Sequence, residues 1–124
     1  MHASREDLPI LFGDESAGLR GVDWQGKRVA IPSLPAGGDY APLFQGLPND
    51  MCPVPHWGYI IKGRVRIMYA DSTEETLREG DIFYLPPGHV PIVDEDLEVF
   101  EVSPPAAMDE LIAVLNRNAA VAGS

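Results

Sequence analysis

The residues best suited to chemistry lie in one stretch, residues 52–93. It holds the only cysteine, Cys52, and two of the three histidines, His56 and His89. Thiolate and imidazole groups together are good ligands for Zn²⁺ or Fe²⁺. Cys52 and His56 are four residues apart, so an extended chain would point both side chains to one face, and His89 would approach from a facing strand. The pattern predicts Cys52, His56 and His89 as candidate ligands of a zinc or iron ion.

The same residues also allow an interpretation without a metal. Cys52 would then be a small, buried apolar residue. His56 would hydrogen-bond a buried water or a bound ligand. His89 follows the corner Pro86-Pro87-Gly88 and would be a surface or capping residue there. From the residues alone, both interpretations stay open.

Aromatic residues around His56 suggest a pocket. Trp57 and Tyr59 are expected to place one aromatic on each face of the chain, and Phe83 adds a further aromatic wall. An apolar pocket with a few polar groups is the usual form of a small-molecule site. We therefore expect a ligand-binding site that contains His56, Trp57, Tyr59, Phe83 and His89.

Composition restricts the partners and the compartment. Formal net charge is -10, from 19 acidic and 9 basic residues in 124, which argues against binding to nucleic acid or to an anionic membrane surface. The sequence contains no run of 18 apolar residues, so no transmembrane helix is predicted. A single cysteine cannot form an internal disulfide, and residues 1–7 carry charge where a signal peptide is apolar. We therefore predict a cytoplasmic protein.

The elements that must position these residues are predicted to be short strands. The turn Gln25-Gly26 predicts a hairpin of Leu19–Trp24 and Lys27–Leu34, and Ile10–Phe12 is expected to anchor the N-terminal segment on a sheet. In Arg64–Ala70 the apolar residues alternate with a period of two, which is typical of a half-buried strand. The other predicted strands are Tyr40–Leu47, His56–Lys62, Glu74–Leu77, Ile82–Leu85, Val90–Val93 and Leu97–Val102.

One helix is predicted after the strands. Ser103-Pro104-Pro105 ends the strand pattern, and Met108, Leu111 and Leu115 then recur at helical spacing. We assign the helix to about residues 106–118 and expect residues 119–124 to be frayed. The predicted organisation is one all-β domain: an N-terminal edge segment 1–18, a barrel 19–103, and the helix with its tail 104–124.

The glycine and proline framework resembles that of the cupin superfamily. Gly80, Pro86 and Gly88 match the spacing of its second motif, and His56 stands seven residues before Gly63, as the glutamate of the first motif does before its glycine. The resemblance covers roughly residues 40–102. It implies a double-stranded β-helix barrel of jelly-roll form, in which His56 points inward. We expect Gly63 and Gly88 to need unusual backbone angles.

The metal-ligand positions of that family are occupied differently here. With His56 at the glutamate position, the two upstream histidine positions fall on Asp50 and Cys52, and that of the second motif falls on Pro91. The family's usual set of three histidines and one glutamate is therefore not encoded, and its activities do not carry over on fold alone.

Two functions are compatible with these residues. One is a small-molecule-binding cupin module without turnover. The other is a metal-dependent enzyme of oxygenase, isomerase or decarboxylase type that uses Cys52, His56 and His89. Because related barrels often pair through sheet edges, we also expect a homodimer in which Ile10–Phe12 covers such an edge.

Overall fold

The computed structural model describes residues 1–122 and contains one antiparallel sheet system followed by a helix. Its strands are β1 (Ile10–Gly13), β2 (Gly18–Trp24), β3 (Lys27–Leu34), β4 (His56–Tyr69), β5 (Glu74–Arg78), β6 (Ile82–Leu85) and β7 (His89–Ser103), and its helix is α1 (Pro105–Ala122). The strands follow the order β1-β2-β3-β7-β4-β5, and β6 also pairs with β4. The predicted all-β class with one C-terminal helix is confirmed.

Two long strands, β4 and β7, form the centre of the sheet. They pair from Trp57 opposite Val102 to Tyr69 opposite His89. The predicted break at Gly63 is wrong, because this glycine adopts φ +94° and is absorbed as an irregularity within β4. The predicted break at residues 94–96 is also wrong.

Ion pairs explain why the acidic residues 94–96 remain within strand β7. Arg66 Nε donates to Asp94 Oδ2 at 2.8 Å, and Arg64 Nη1 donates to Glu95 Oε1 at 3.3 Å. Both pairs join the outward faces of β4 and β7. The acidic run therefore has cross-strand partners and does not need to form a turn.

The corner Pro86-Pro87-Gly88 connects opposite ends of β4. Leu85, before the corner, pairs with His56, whereas His89, after it, pairs with Tyr69. A straight strand of this length would span roughly 45 Å. Because three residues bridge the two ends, β4 must curl strongly, as a strand does in a closed barrel.

The segment before the central strands differs from the prediction. Tyr40–Leu47 is not a strand; its centre, Ala41–Phe44, is a 3-10 turn, with Pro42 at a position where no main-chain donor is needed. A second such turn covers Pro48–Asp50. The first turn carries Phe44 into the core, where it is buried.

Helix α1 closes one end of the barrel. Met108, Leu111 and Leu115 are buried, and they pack in a cluster with Phe44 and Cys52 among others. The helix is longer than predicted, since residues 119–122 remain helical; residues 123–124 lie outside the described residues. Within residues 1–122, no helix is both long and apolar enough to cross a membrane.

The N-terminal segment joins the sheet. Strand β1 pairs antiparallel with β2, with Ile10 opposite Arg20 and Phe12 opposite Leu19. The predicted anchoring of Ile10–Phe12 on a sheet is confirmed, and the edge it covers belongs to the chain's own β2. The division into segments 1–18, 19–103 and 104–124 stays a prediction.

Gly63 and Gly80 allow a matched test of how much the bend in β4 depends on glycine. Both have positive φ, +94° and +92°. A Cβ on Gly63 would clash with the main-chain oxygen of Asp96, whereas a Cβ on Gly80 would meet no heavy atom within 4 Å. We expect Gly80→Ala to lower the free energy of unfolding by about 1 kcal/mol through backbone strain alone, and Gly63→Ala to lower it further. Urea denaturation measures both; equal losses would show that the close approach to Asp96 does not matter.

Candidate functional site

The structure brings the three predicted metal ligands together. Cys52, His56 and His89 are buried, with 2%, 5% and 3% of their surfaces exposed. One ligand atom from each residue lies within 4.8 Å of those of the other two. Cys52 Sγ is 3.6 Å from His56 Nε2, and the two imidazole rings meet edge to face with centroids 5.1 Å apart. His89 is therefore an interior residue and not the surface residue of the second interpretation.

Main-chain pairing fixes Cys52 beside His89. The two residues form an isolated antiparallel bridge, in which Cys52 N–H donates to His89 O at 2.8 Å. The N–H of Gly88 donates to Cys52 O, also at 2.8 Å. Cys52 therefore lies outside the strand that contains His56, and its bridge to His89 holds it near His56. Asp50, at the other upstream family position, lies exposed in a 3-10 turn, where it accepts a hydrogen bond from Gly46 N.

Hydrogen bonds orient both imidazole rings. His89 Nδ1 lies 2.8 Å from the carbonyl oxygen of Pro86. Since a carbonyl only accepts, neutral His89 carries its proton on Nδ1 and keeps a free lone pair on Nε2. His56 Nδ1 lies 2.6 Å from Ser103 Oγ, which leaves Nε2 directed at Cys52. Such second partners are what fix the tautomer and orientation of a metal-binding histidine.

Burial keeps these three groups neutral near pH 7. It lowers the pKa of His56 to about 4 and that of His89 to about 4, where the neighbouring His56 adds to the effect. It raises the pKa of the Cys52 thiol to about 12. Neutral imidazoles are already in the ligand form, whereas the thiol would have to release its proton when a metal ion binds.

Glu101 is a candidate site residue that sequence reasoning missed. Its side chain is only 10% exposed, its Oε2 lies 3.7 Å from His56 Nδ1, and burial raises the pKa of its carboxyl to about 7. A signal was present, because Leu97, Val99, Glu101 and Ser103 share one parity along a strand. That alternation places Glu101 inside together with the apolar residues.

The donor set and its spacing fit a transition metal. One thiolate and two imidazoles are ligands that Zn²⁺ and Fe²⁺ accept. A tetrahedral zinc ion with ordinary bond lengths holds a sulfur and a nitrogen roughly 3.5 Å apart, and Cys52 Sγ and His56 Nε2 are 3.6 Å apart. The ligand atoms lie within 4.8 Å of one another, so the widest pair would have to close by about 1.2–1.5 Å to reach tetrahedral zinc distances.

A cavity of about 160 Å³ adjoins the cluster inside the barrel. Cys52, His56, His89 and Glu101 contribute to its lining, together with Phe83. The other lining residues are mostly apolar and come from several strands. They include Leu77, Leu85, Val65, Val99, Ile60 and Ile67.

Trp57 and Tyr59, two of the predicted ligand-binding residues, do not line this cavity. Their side chains are 50% and 42% exposed on the outer surface. The reason is parity: residues two apart on a strand share a face, and both are offset by an odd number from His56, which points inward. One aromatic on each face was therefore not attainable.

Known proteins share this architecture. Residues 44–102 match the family model described as the EutQ-like cupin domain. By this match the chain contains a cupin domain. Among curated proteins, none matches the chain significantly.

Solved structures extend the similarity over most of the chain. A protein of unknown function from Rhizobium leguminosarum aligns with a TM-score of 0.60 and 14% identity, over 84% of this chain and 95% of that chain. An RmlC-like cupin from Shewanella frigidimarina aligns with a TM-score of 0.59 and 13% identity, over 83% of this chain and 88% of that chain. KdgF from Halomonas sp. aligns with a TM-score of 0.57 and 14% identity, over 82% of this chain and 92% of that chain. At these identities the likeness shows the fold, and it confirms the predicted jelly-roll barrel.

Ser103 offers a test of how the site is held. Ser103→Ala removes the partner of His56 Nδ1 and leaves a buried imidazole nitrogen unsatisfied, so the free energy of unfolding should fall by about 1–3 kcal/mol. Ser16→Ala is the matched control, because Ser16 bonds only at the exposed Asp14 turn and should change stability by less than about 0.5 kcal/mol. Urea unfolding measures both. Equal effects would mean that Ser103 does not support His56.

Proposed function

We propose that this cupin binds a divalent transition-metal ion, Zn²⁺ or Fe²⁺, on Cys52, His56 and His89, and a small molecule in the adjoining cavity. The observation that carries the proposal is the meeting of three donor atoms within 4.8 Å at the wall of an apolar cavity. Three protein ligands and one open position are typical of zinc sites that bind an exogenous group. When bound, the metal would supply Lewis acidity to that group.

Charge balance supports the metal proposal. A divalent ion with one thiolate leaves one positive charge in an apolar interior, where an unpaired charge is costly. Glu101 lies 3.7 Å from His56 Nδ1 and offers the compensating carboxylate. A carboxylate beside a ligating histidine is a common outer partner of such sites.

Cavity size limits the ligand. An engineered apolar cavity of about 150 Å³ accommodates benzene, and this cavity measures about 160 Å³. The ligand class we propose is therefore a molecule of about six to eight non-hydrogen atoms. Its body is apolar, and one oxygen-bearing group faces Cys52, His56 and His89.

A metal-dependent enzyme of oxygenase, isomerase or decarboxylase type is the second candidate. The observation in its favour is the carboxyl group of Glu101, which lines the same cavity as the proposed metal ligands. A carboxyl group at this position could exchange a proton with a bound molecule. In the binding-module proposal, the same group only balances charge.

We also propose a cytoplasmic location. Its support is the cysteine itself, which is a free, buried thiol. Reducing compartments preserve such thiols.

Metal content tests the first part of the proposal. Protein purified without chelator and then loaded should hold about one equivalent of Zn²⁺ or Fe²⁺. Cys52→Ser and His89→Asn should each lower the affinity at least about 10-fold, while His2→Asn, which changes the exposed third histidine, should not. Elemental analysis and titration measure this, and Co²⁺-loaded protein should show a thiolate charge-transfer band that Cys52→Ser abolishes. Less than about a tenth of an equivalent, with no uptake on addition, would disprove metal binding.

Ligand size tests the second part independently of the metal. Benzene at saturation should raise the melting temperature by about 2 °C or more, because a ligand that binds only the folded state stabilises it. Naphthalene fills more of the cavity volume than benzene does and should raise the melting temperature less. Val99→Ile narrows the cavity and should reduce the benzene shift, while Ile10→Val at the exposed strand β1 should preserve it. Equal shifts with both hydrocarbons would contradict binding in this cavity.

A further inference from the structure

Part of the cavity wall comes from a segment that belongs to no strand. Residues 40–50 lie between β3 and β4 and contain the two 3-10 turns; we call them the turn segment. Tyr40, Leu43 and Phe44 of this segment line the cavity. Since every lining residue is buried or half-buried, a molecule as large as benzene needs a movement of the wall to enter.

Tyr40 lies at the seam between two parts of the core. It packs against the cluster that contains Phe44 and Met108. It also packs against the cluster of the barrel interior, which contains Ile60 and Val65. Residues of both clusters line the cavity. The cavity therefore lies between the barrel interior on one side and the turn segment with α1 on the other.

The turn segment is attached less firmly than the strands around it. Its main-chain hydrogen bonds are local, as in the donation from Leu47 N–H to Phe44 O at 3.2 Å. By contrast, β4 pairs with β7 all the way from Trp57 to Tyr69. Displacing the turn segment therefore breaks fewer contacts than opening the barrel does. Weakly attached elements of this kind are the ones that open locally in native proteins.

One side chain of α1 holds the turn segment in place. Asn118 Nδ2 donates to Leu43 O at 2.7 Å and to Gln45 O at 2.9 Å. The residue between these two carbonyls is Phe44, which is buried in the same cluster as Leu115 of the helix. The loss of the Asn118 contacts would therefore weaken the closed position of the whole turn.

The surroundings of the turn segment are fixed independently of Asn118. Arg28, which is 6% exposed, donates to Asp109 Oδ1 at 2.8 Å and so anchors the first half of α1. Before the segment, Gly37 N–H donates to Val93 O at 3.2 Å, and after it Cys52 is bridged to β7. Movement can therefore be confined to the residues between Gly37 and Cys52.

We propose that the turn segment is a gate over the cavity and that Asn118 is the latch that keeps it closed. Opening moves Tyr40 and Leu43 away from the cavity wall while the strands and the first half of α1 stay in place. The use of this motion for ligand entry rests on the proposed binding function, whereas the motion itself does not.

Chemical labelling of Cys52 measures the opening without any ligand. Cys52 is the only cysteine, is 2% exposed and lines the cavity. In chelator-treated protein its thiolate attacks methyl methanethiosulfonate, which forms a methyl disulfide and releases methanesulfinate. The labelling rate should depend on urea less than about half as steeply as global unfolding does, because opening exposes only the turn segment and the cavity wall.

Variants of α1 test the latch. Asn118→Ala removes both hydrogen bonds and should raise the labelling rate about 10-fold. Asn118→Asp keeps the size of the side chain but removes the donors, so it should act in the same direction. Asn116→Ala is the matched control, because Asn116 is exposed on the same helix, and it should change the rate less than about two-fold.

Gly80→Ala separates the gate from general stability. It weakens the fold at a turn outside the turn segment and should leave the labelling rate in water unchanged. Equal acceleration by Gly80→Ala and Asn118→Ala, or labelling that follows global unfolding in urea, would overturn the gate. The benzene shift in melting temperature would then still decide whether the cavity binds a ligand.

Benzene links the gate to the proposed function. At saturation it should slow the labelling of Cys52 in the wild type, because an occupied cavity blocks the reagent. Labelling that responds to Asn118→Ala but not to benzene would support the gate and contradict ligand binding in this cavity. The failure of the gate and the failure of the binding function thus give different results.

Discussion

The curl of β4 is the constraint on which the rest of the structure depends. His56 stands at one end of this strand, and His89 pairs with Tyr69 at the other, yet the two imidazole rings are 5.1 Å apart. Only a strongly bent strand brings its two ends so close. The irregular register around Gly63 and the short corner after Leu85 both serve this bend. The cavity, the cluster beside it and the outward direction of Trp57 all follow from it.

The polar cluster is costly in an apolar barrel, and the structure offsets the cost locally. Burying a polar group without a partner costs at least about 1–3 kcal/mol. Ser103 and the carbonyl of Pro86 are hydrogen-bond partners of the two imidazoles. The thiol of Cys52 is only a weak hydrogen-bond donor, so its burial costs less. Glu101 is the least compensated member, since its nearest cation-forming group is His56 Nδ1 at 3.7 Å. In the metal-binding proposal, this carboxyl group balances the charge of the bound ion.

Sequence reasoning predicted the parts that depend on short-range rules. Alternation identified the half-buried strand Arg64–Ala70, and the resemblance to cupins, carried by the spacing of His56 to Gly63, implied that His56 points into the barrel. Bends that glycine absorbs within a continuous ladder were missed, because a Gly63 bulge and a turn have the same local sequence. Cys52 was expected to share a strand with His56, whereas a single bridge to His89 holds it. Such long-range pairing leaves no periodic signal in one sequence.

His89 lies two residues before the position at which the cupin motif has its histidine. The family position for the second-motif histidine falls on Pro91, and His89 lies two residues earlier on the same strand. Two residues preserve the side-chain face, and both side chains line the cavity. The shift moves the donor one step toward the corner, where the bridge to Cys52 lies. His89 and Cys52 therefore form one unit: the shift brings the imidazole to the thiol, and the thiol stands where an upstream histidine would otherwise be. By the resemblance to the cupin motifs, the two remaining ligand positions, Asp50 and His56, also carry other residues, so the candidate set differs from the family's at all four positions.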